Sequence, residues 1–147
     1  MCGIIAALSK EDCIEMLING IKQLQNRGYD SSGICTLKND FSMIKYASTS
    51  EYSAIKKIED NLDKINNTNI GIAHTRWATH GPKSDANSHP HISYNNKISL
   101  VHNGIIENYY ELKKNLLEKG IEFKSQTDTE VIVNLLAYEY EIEKKKI

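Results

Sequence analysis

The residue that most directly suggests chemistry is the cysteine at position 2. A small second residue is of the kind that lets the initiator methionine be removed, which would leave Cys2 with both a thiol and a free α-amine. An α-amine has an unperturbed pKa of about 7.7–8.0, so near neutral pH it can accept the proton of its own side chain. Cys2 therefore fits a nucleophile that carries its own base. Position alone is weak support, because a cysteine near the start of a chain often has no chemical role.

The histidines suggest a second possible chemistry, which is metal binding. All five fall inside one stretch of the chain: His74, His80, His89, His91 and His102. Their spacing is irregular, and neither a Cys-x-x-Cys nor a His-Glu-x-x-His pattern accompanies them. We therefore expect hydrogen-bonding histidines, no metal site and no cofactor.

Composition narrows the class of protein. The 147 residues fit one domain, and 18 Lys and Arg against 19 Asp and Glu give a formal charge of −1. This balance gives no excess of positive charge of the kind that binds nucleic acid or an anionic membrane. The apolar run from Ile4 to Leu8 is far shorter than the ~20 residues of a membrane span. Three cysteines, an odd number, argue against a disulfide framework. We expect a soluble, cytoplasmic protein, with self-association left open.

The apolar pattern indicates strands and helices without strict alternation, which favours the α+β class. The predicted strands are Gly3 to Leu8, Gly33 to Leu37, Ser42 to Ala47, Ile70 to His74, Lys97 to His102 and Ile121 to Lys124. Four helices are predicted. The first has its N-cap at Ser9, the second carries an apolar stripe from Tyr52 to Ile65, the third spans about Asn108 to Glu118, and the fourth begins at Thr127. Gly120 is the predicted stop of the third helix, and Thr127 with Glu130 fits a capping box.

Several sequence blocks together resemble the glutaminase domain of the glucosamine–fructose-6-phosphate aminotransferase family, one of the class II glutamine amidotransferases. The blocks follow the family's order and spacing: Met1-Cys2-Gly3-Ile4, Arg27-Gly28-Tyr29-Asp30-Ser31-Ser32-Gly33, His74-Thr75-Arg76-Trp77-Ala78-Thr79-His80-Gly81, His89-Pro90-His91, His102-Asn103-Gly104-Ile105-Ile106-Glu107-Asn108 and Thr127-Asp128-Thr129-Glu130. The second and third blocks favour the aminosugar branch over asparagine or purine synthesis.

The resemblance implies a set of catalytic residues. Cys2 would attack the side-chain amide of glutamine, giving a glutamyl thioester and ammonia. Asn103 and Gly104 would form the oxyanion hole, although an Asn-Gly pair after a strand is by itself a common turn. Arg27 and Asp30 would hold the Cys2 end in place.

The resemblance also implies how glutamine is held. Arg76 would bind the α-carboxylate and Asp128 the α-ammonium. Taken alone, Asp128 is equally explained as an acidic residue favoured in the first turn of a helix. Trp77, Thr79 and His80 would lie on a loop that closes over the substrate, although a lone tryptophan is more often a core residue.

The implied fold is a four-layer αββα sandwich of the N-terminal nucleophile type. The family's domain is longer than this chain, so we expect residues 1–147 to form only its first part, truncated before the last strands and without the sugar-isomerase domains. The ammonia acceptor would then be a sugar-phosphate isomerase domain supplied in trans. Two alternatives stay open: a truncated, non-catalytic relic, and a module that binds glutamine or a partner without turnover.

Overall fold

A computed structural model describes residues 2–78 and 82–145. Within those residues the strands are β1 Gly3–Leu8, β2 Ser31–Leu37, β3 Phe41–Ala47, β4 Ile70–Arg76, β5 His91–Ile92 and β6 Ser99–Leu100. The α-helices are α1 Ile14–Gln23, α2 Ala54–Glu59, α3 Tyr109–Glu118 and α4 Asp128–Lys145, with 3-10 turns at Gln25–Arg27 and Leu62–Lys64. The mixture confirms the α+β class. No helix in this part of the chain is long and apolar enough to cross a membrane.

The main sheet brings the start of the chain to the end of β4. Its strand order is β1-β4-β2-β3, and every neighbouring pair is antiparallel. Gly3 therefore lies opposite Thr75, and Ser31 lies opposite Arg76. This register places Cys2, Asp30 and Arg76 at the same end of three neighbouring strands, although they are far apart in sequence.

One face of this sheet is covered by helices. Helix α1 contacts β1 and β4, and α2 contacts β2 and β3. The three- and four-residue spacing of apolar side chains in α1 makes this possible, since it places them all on one stripe. The buried side chains of that stripe are Ile14, Leu17, Ile18 and Ile21. Fully burying one such side chain contributes roughly 1.5–3 kcal/mol.

The other face of the main sheet meets the two-stranded β5–β6 sheet. His74 of β4 stacks on His89, with ring centroids 4.4 Å apart. Lys45 of β3 donates to the Ser88 carbonyl at 2.8 Å. Helix α4 covers the β5–β6 sheet, and α3 packs on α4. The layers thus run helix, sheet, sheet, helix, as the four-layer prediction requires.

Several predicted element bounds were wrong. Helix α1 begins at Ile14 rather than after Ser9, because the Ser9 hydroxyl and the Asp12 carboxylate accept from Glu11 and Ile14 N–H groups in a preceding turn. The predicted second helix breaks after Glu59 into a turn.

The strand predictions were too long or misplaced in the second half of the chain. Only Ser99–Leu100 of the predicted strand from Lys97 to His102 pairs with a neighbour. The segment 121–124 forms no strand, because its alternating apolar residues pack on the α3–α4 cluster instead of pairing. Gly120 ends α3 with a φ of +81°, as predicted.

The N-terminus of α4 contains half of the predicted capping box. The Thr127 hydroxyl accepts from the Glu130 N–H at 3.3 Å. The Glu130 carboxylate, however, accepts from the backbone N–H groups of Lys124 and Ser125 at 2.8 and 2.6 Å. Glu130 therefore fixes the loop before α4, and this loop delivers Asp128 to the site.

Candidate functional site

A cavity of about 460 Å³ lies where the start of β1, the end of β4, the loop after β6 and the start of α4 meet. It is lined by many of the residues singled out from the sequence: Cys2, Arg27, Arg76, Trp77, Asn103, Gly104 and Asp128. Thr79 and His80 lie outside the described residues. With His89, which also lines the cavity, antiparallel pairing and the loop before α4 bring together residues from all six sequence blocks.

Cys2 is half-buried and held from two sides. Its sulfur accepts from the Trp77 backbone N–H at 3.2 Å and lies 3.5 Å from the Trp77 carbonyl oxygen. Its own carbonyl oxygen accepts from the Asn103 side-chain nitrogen at 3.1 Å. The thiol therefore occupies a fixed position at the cavity wall, beside a side-chain amide.

The amide of Asn103 is fixed in orientation. Its oxygen lies 2.8 Å from Nε2 of His74, and its nitrogen donates to Cys2. An NH₂ group has two hydrogens, so one remains to donate into the cavity. Gly104 follows with a φ of +148°, and a Cβ at that position would lie 2.9 Å from Nε2 of His102. A side chain at position 104 would be strained both by the backbone and by this contact.

Arg76 provides a buried positive charge. It ends β4 and is 3% exposed. Burial lowers the pKa of its guanidinium, and the nearby Cys2, Asp30 and Asp128 act in the opposite direction. A buried guanidinium of this kind can bind a carboxylate through two parallel hydrogen bonds.

Asp128 provides the opposite charge. It is the first residue of α4, is 4% exposed, and accepts from the Ile106 backbone N–H at 2.8 Å. That bond ties the loop carrying Asn103 and Gly104 to the helix. A carboxylate has about four acceptor positions, so Asp128 can also accept from an ammonium group in the cavity.

Arg27, Asp30 and Trp77 surround the Cys2 end. The Asp30 N–H donates to the Arg76 carbonyl at 3.1 Å, and its carboxylate accepts from the Ala78 N–H at 2.9 Å. These bonds fix the chain just after β4, although Asp30 does not itself line the cavity. Trp77 is 44% exposed and makes an edge contact with Tyr29, with centroids 5.3 Å apart. It is thus a rim residue and not part of the core.

Several further polar residues line or support the site, and none of them was predicted from the sequence to act there. His89, His102, Thr127 and Thr129 line the cavity, and His74 contacts Asn103 from outside it. A local signal existed for His102, which directly precedes Asn103. His74 belongs to the same sequence block as Arg76, but nothing local indicated its contact with Asn103, which spans 29 residues.

The buried histidines are uncharged at neutral pH. Desolvation is the main cause that lowers the pKa of His74, to about 4, and the nearby Arg76 charge acts in the same direction. The same effect lowers the pKa of His89 and His91 well below the usual value. In the part of the chain that the structure describes, no three metal-ligating side chains are grouped to hold an ion.

Together these groups can perform acyl chemistry on a zwitterion. A thiol lies beside an amide donor, and a buried cation and a buried carboxylate line the same cavity. The cation and the carboxylate can hold the two charged ends of an amino acid while the thiol attacks an acyl group of its side chain.

Comparison with known proteins agrees with this chemistry. The family model described as "Glutamine amidotransferase domain" matches residues 53–141. The chain is 48% identical over 141 residues to the glutamine–fructose-6-phosphate aminotransferase [isomerizing] of Clostridium acetobutylicum, covering 96% of this chain and 23% of that protein. It is 49% identical over 140 residues to the enzyme of the same name from Caldanaerobacter subterraneus, covering 95% and 22%. The chain thus spans less than a quarter of the length of these relatives.

Solved structures show the same fold. The allosteric regulatory enzyme of purine biosynthesis matches with a TM-score of 0.72 and 24% identity, covering 89% of this chain and 28% of that one. Glutamine phosphoribosylpyrophosphate amidotransferase from B. subtilis matches with a TM-score of 0.68 and 26% identity, with the same coverage. The fold is therefore that of the N-terminal nucleophile amidotransferases, and the chain belongs to the glutamine amidotransferase domain family.

Proposed function

We propose that this chain hydrolyses L-glutamine to glutamate and ammonia through a thioester on Cys2, as the glutaminase part of aminosugar (glucosamine 6-phosphate) synthesis. The observation that carries the proposal is the shared cavity of the Cys2 sulfur, the Asn103 amide, the Arg76 guanidinium and the Asp128 carboxylate. The aminosugar assignment is supported by relatives named glutamine–fructose-6-phosphate aminotransferase. Residues 1–147 would constitute the first part of a glutamine amidotransferase type 2 domain.

The first half of the reaction forms the thioester. With Met1 removed, the α-amine of Cys2 takes the thiol proton, and the sulfur attacks the side-chain amide carbon of glutamine. The amide oxygen becomes negative and accepts from the second Asn103 N–H and from the Gly104 backbone N–H. Collapse of this intermediate breaks the C–N bond, and the α-ammonium gives its proton to the departing nitrogen. The products are a glutamyl thioester and ammonia.

The second half releases glutamate. The α-amine removes a proton from water, which attacks the thioester carbon, and the same two donors stabilise the new oxyanion. The C–S bond then breaks and the sulfur recovers its proton. One residue thus serves as nucleophile and base in both halves.

Substrate binding relies on charge at the other end of glutamine. Arg76 binds the α-carboxylate and Asp128 the α-ammonium. Trp77 would close over the substrate, and Thr79 and His80 would add hydrogen bonds. This assignment is supported by the burial of Arg76 and Asp128, because charge-assisted hydrogen bonds are strong where water is excluded.

The ammonia acceptor would be a sugar-phosphate isomerase domain in another chain, acting in trans. We place the reaction in the cytoplasm, since Cys2, Cys13 and Cys35 are all free thiols and a reducing compartment keeps them so.

The test is release of glutamate and ammonia by the purified, untagged chain, compared with Cys2→Ala. Turnover by the wild type and none by the variant would support the proposal. Turnover that survives in Cys2→Ala would overturn it. A folded wild type that binds glutamine without releasing glutamate would instead favour the binding-module alternative.

A further inference from the structure

We propose that His74 is a positioning residue that holds the Asn103 amide in the orientation needed to stabilise the oxyanion. The inference rests on the proposed glutamine hydrolysis, and it assigns to that site a residue outside the cavity lining. His74 is fully buried, so it would act on the substrate only through Asn103.

The orientation of the Asn103 amide follows from its two partners. The Cys2 carbonyl oxygen can only accept, so the group 3.1 Å away must be the donating NH₂. The amide oxygen then faces Nε2 of His74 at 2.8 Å. Since that oxygen can only accept, Nε2 must carry a hydrogen. A flipped amide would set two carbonyl oxygens against each other at the Cys2 end.

The surroundings of His74 hold the imidazole ring in place. His74 lies within β4, opposite Ile4 of β1 and Gly33 of β2. Its ring stacks on His89, which in turn makes an edge contact with His91 at 5.0 Å between centroids. A ring fixed by a central strand and by stacking offers its donor at a constant position. Asn103, by contrast, lies in an exposed loop whose backbone alone does not fix the side-chain amide.

The direction in which the Asn103 amide points decides whether it can help catalysis. A donor beside the nucleophile stabilises the transition state only if it points to where the oxyanion forms. Without the His74 bond, the Asn103 amide can rotate and present its oxygen to the cavity, where it would repel the negative charge. A displacement of about 1 Å in a catalytic group can cost about 10²-fold in rate.

Kinetics of the full chain test the inference with four proteins: wild type, His74→Leu, Asn103→Ala and the double variant. We expect His74→Leu to lower kcat for glutamate release by about 10²-fold, with KM changed by less than about threefold. In the Asn103→Ala background, His74→Leu should cause no further loss, since its effect passes through that side chain. Multiplying losses in the double variant, or full activity of His74→Leu, would overturn the inference.

A second pair of variants covers the case in which His74→Leu fails to fold. The amide nitrogen of Gln can reach the position of Nε2, whereas that of Asn cannot. We expect His74→Gln to recover most of kcat and His74→Asn to recover little. Equal kcat values for the two folded variants would contradict a positioning role.

A structural readout separates this inference from the proposed function. In uniformly ¹⁵N-labelled protein at pH 7, NMR should show His74 as the Nε2–H tautomer, and the Asn103 side-chain NH₂ signals should shift in His74→Gln. An Nδ1–H tautomer would overturn the inference even if the wild type hydrolyses glutamine. Conversely, an Nε2–H tautomer in a protein without turnover would leave the His74–Asn103 contact standing while the proposed function fails.

Discussion

The side-chain nitrogen of Asn103 lies 3.1 Å from the carbonyl oxygen of Cys2, although the two residues are 101 positions apart. This bond joins the start of the first strand to the loop after β6. It places the backbone of the proposed nucleophile in contact with the proposed donor for the oxyanion. The contact depends on pairing of β1 with β4 and on the His74 bond from the far side of the amide.

A free α-amine on Cys2 is predicted to be essential. Protein that retains Met1, or carries an N-terminal tag, should lose glutamate release, because an amide nitrogen cannot act as the base. Glutamine binding, measured by calorimetry, should persist in part, since Arg76 and Asp128 are unchanged. The matched control is a tag whose proteolytic removal leaves Cys2 as the first residue, which should restore turnover. Normal turnover by tagged protein would mean that the α-amine is not the base.

Asp128→Asn is predicted to weaken glutamine binding. The amide oxygen of Asn can still accept from the Ile106 N–H, so the loop contact survives while the negative charge is lost. A hydrogen bond to a charged group contributes about 1.5–3 kcal/mol, so KM should rise about 10- to 10²-fold. Arg76→Lys should raise KM in the same direction, because an ammonium cannot bind a carboxylate through a planar fork. An unchanged KM in either variant would remove that residue from the substrate-binding set.

Gly104→Ala is predicted to reduce both stability and activity. The backbone there has a φ of +148°, and the new Cβ would lie 2.9 Å from Nε2 of His102. Gly120→Ala is the matched control, since φ is +81° but no atom lies within 4 Å of the new Cβ. Urea unfolding should show a loss of about 1–3 kcal/mol in both variants. Only Gly104→Ala should also lose kcat, and equal activity in the two would contradict a role for the Gly104 backbone.

Acid should destabilise the fold through its buried histidines. The pKa of His74 is lowered to about 4, and those of His89 and His91 are also lowered, so the unfolded chain binds their protons more readily than the folded one. Their stabilising contribution is complete above the unfolded pKa of about 6.5 and is lost as the pH falls below it. The slope should approach about 1.4 kcal/mol per pH unit for each histidine. Urea unfolding at pH 7, 5.5 and 4.5 measures it.

The control for that slope is His74→Gln, which removes one titrating group while keeping a donor. Its free energy of unfolding should fall less steeply between pH 6.5 and 4.5 than that of the wild type. Parallel curves would show that His74 does not titrate differently in the folded and unfolded chains.

The main sheet and helix α1 could be predicted from the sequence because the apolar patterns that indicate them are local. The apolar run of β4 and the apolar stripe of α1 are each contained in one element. The segment 121–124 was misassigned because Ile121 and Phe123 alternate like strand residues but pack on helix α3–α4 side chains. Apolar alternation reports burial, and it does not show whether the backbone has a pairing partner.

The site could be predicted only through the resemblance of its sequence blocks. Nothing in the spacing of Cys2, Asn103 and Asp128 indicates that they meet, because strand order and loop paths decide it. His74 was named only as one of the histidines and as part of a sequence block, and its role beside Asn103 was not predicted, since that contact lies between two elements and leaves no sequence pattern. The prediction that the histidines form hydrogen bonds rather than a metal site rested only on their spacing. The stacking of His74 on His89 could not be foreseen from it.

The most direct test of the account is the intact mass of the purified, untagged protein before and after incubation with a diazo-ketone analogue of glutamine. Such a reagent alkylates an activated thiol where a glutamine site has formed. The account predicts a starting mass without Met1 and a single adduct on Cys2 that glutamine prevents. A soluble, processed protein that gains no adduct, or gains one on Cys13 or Cys35, would contradict it.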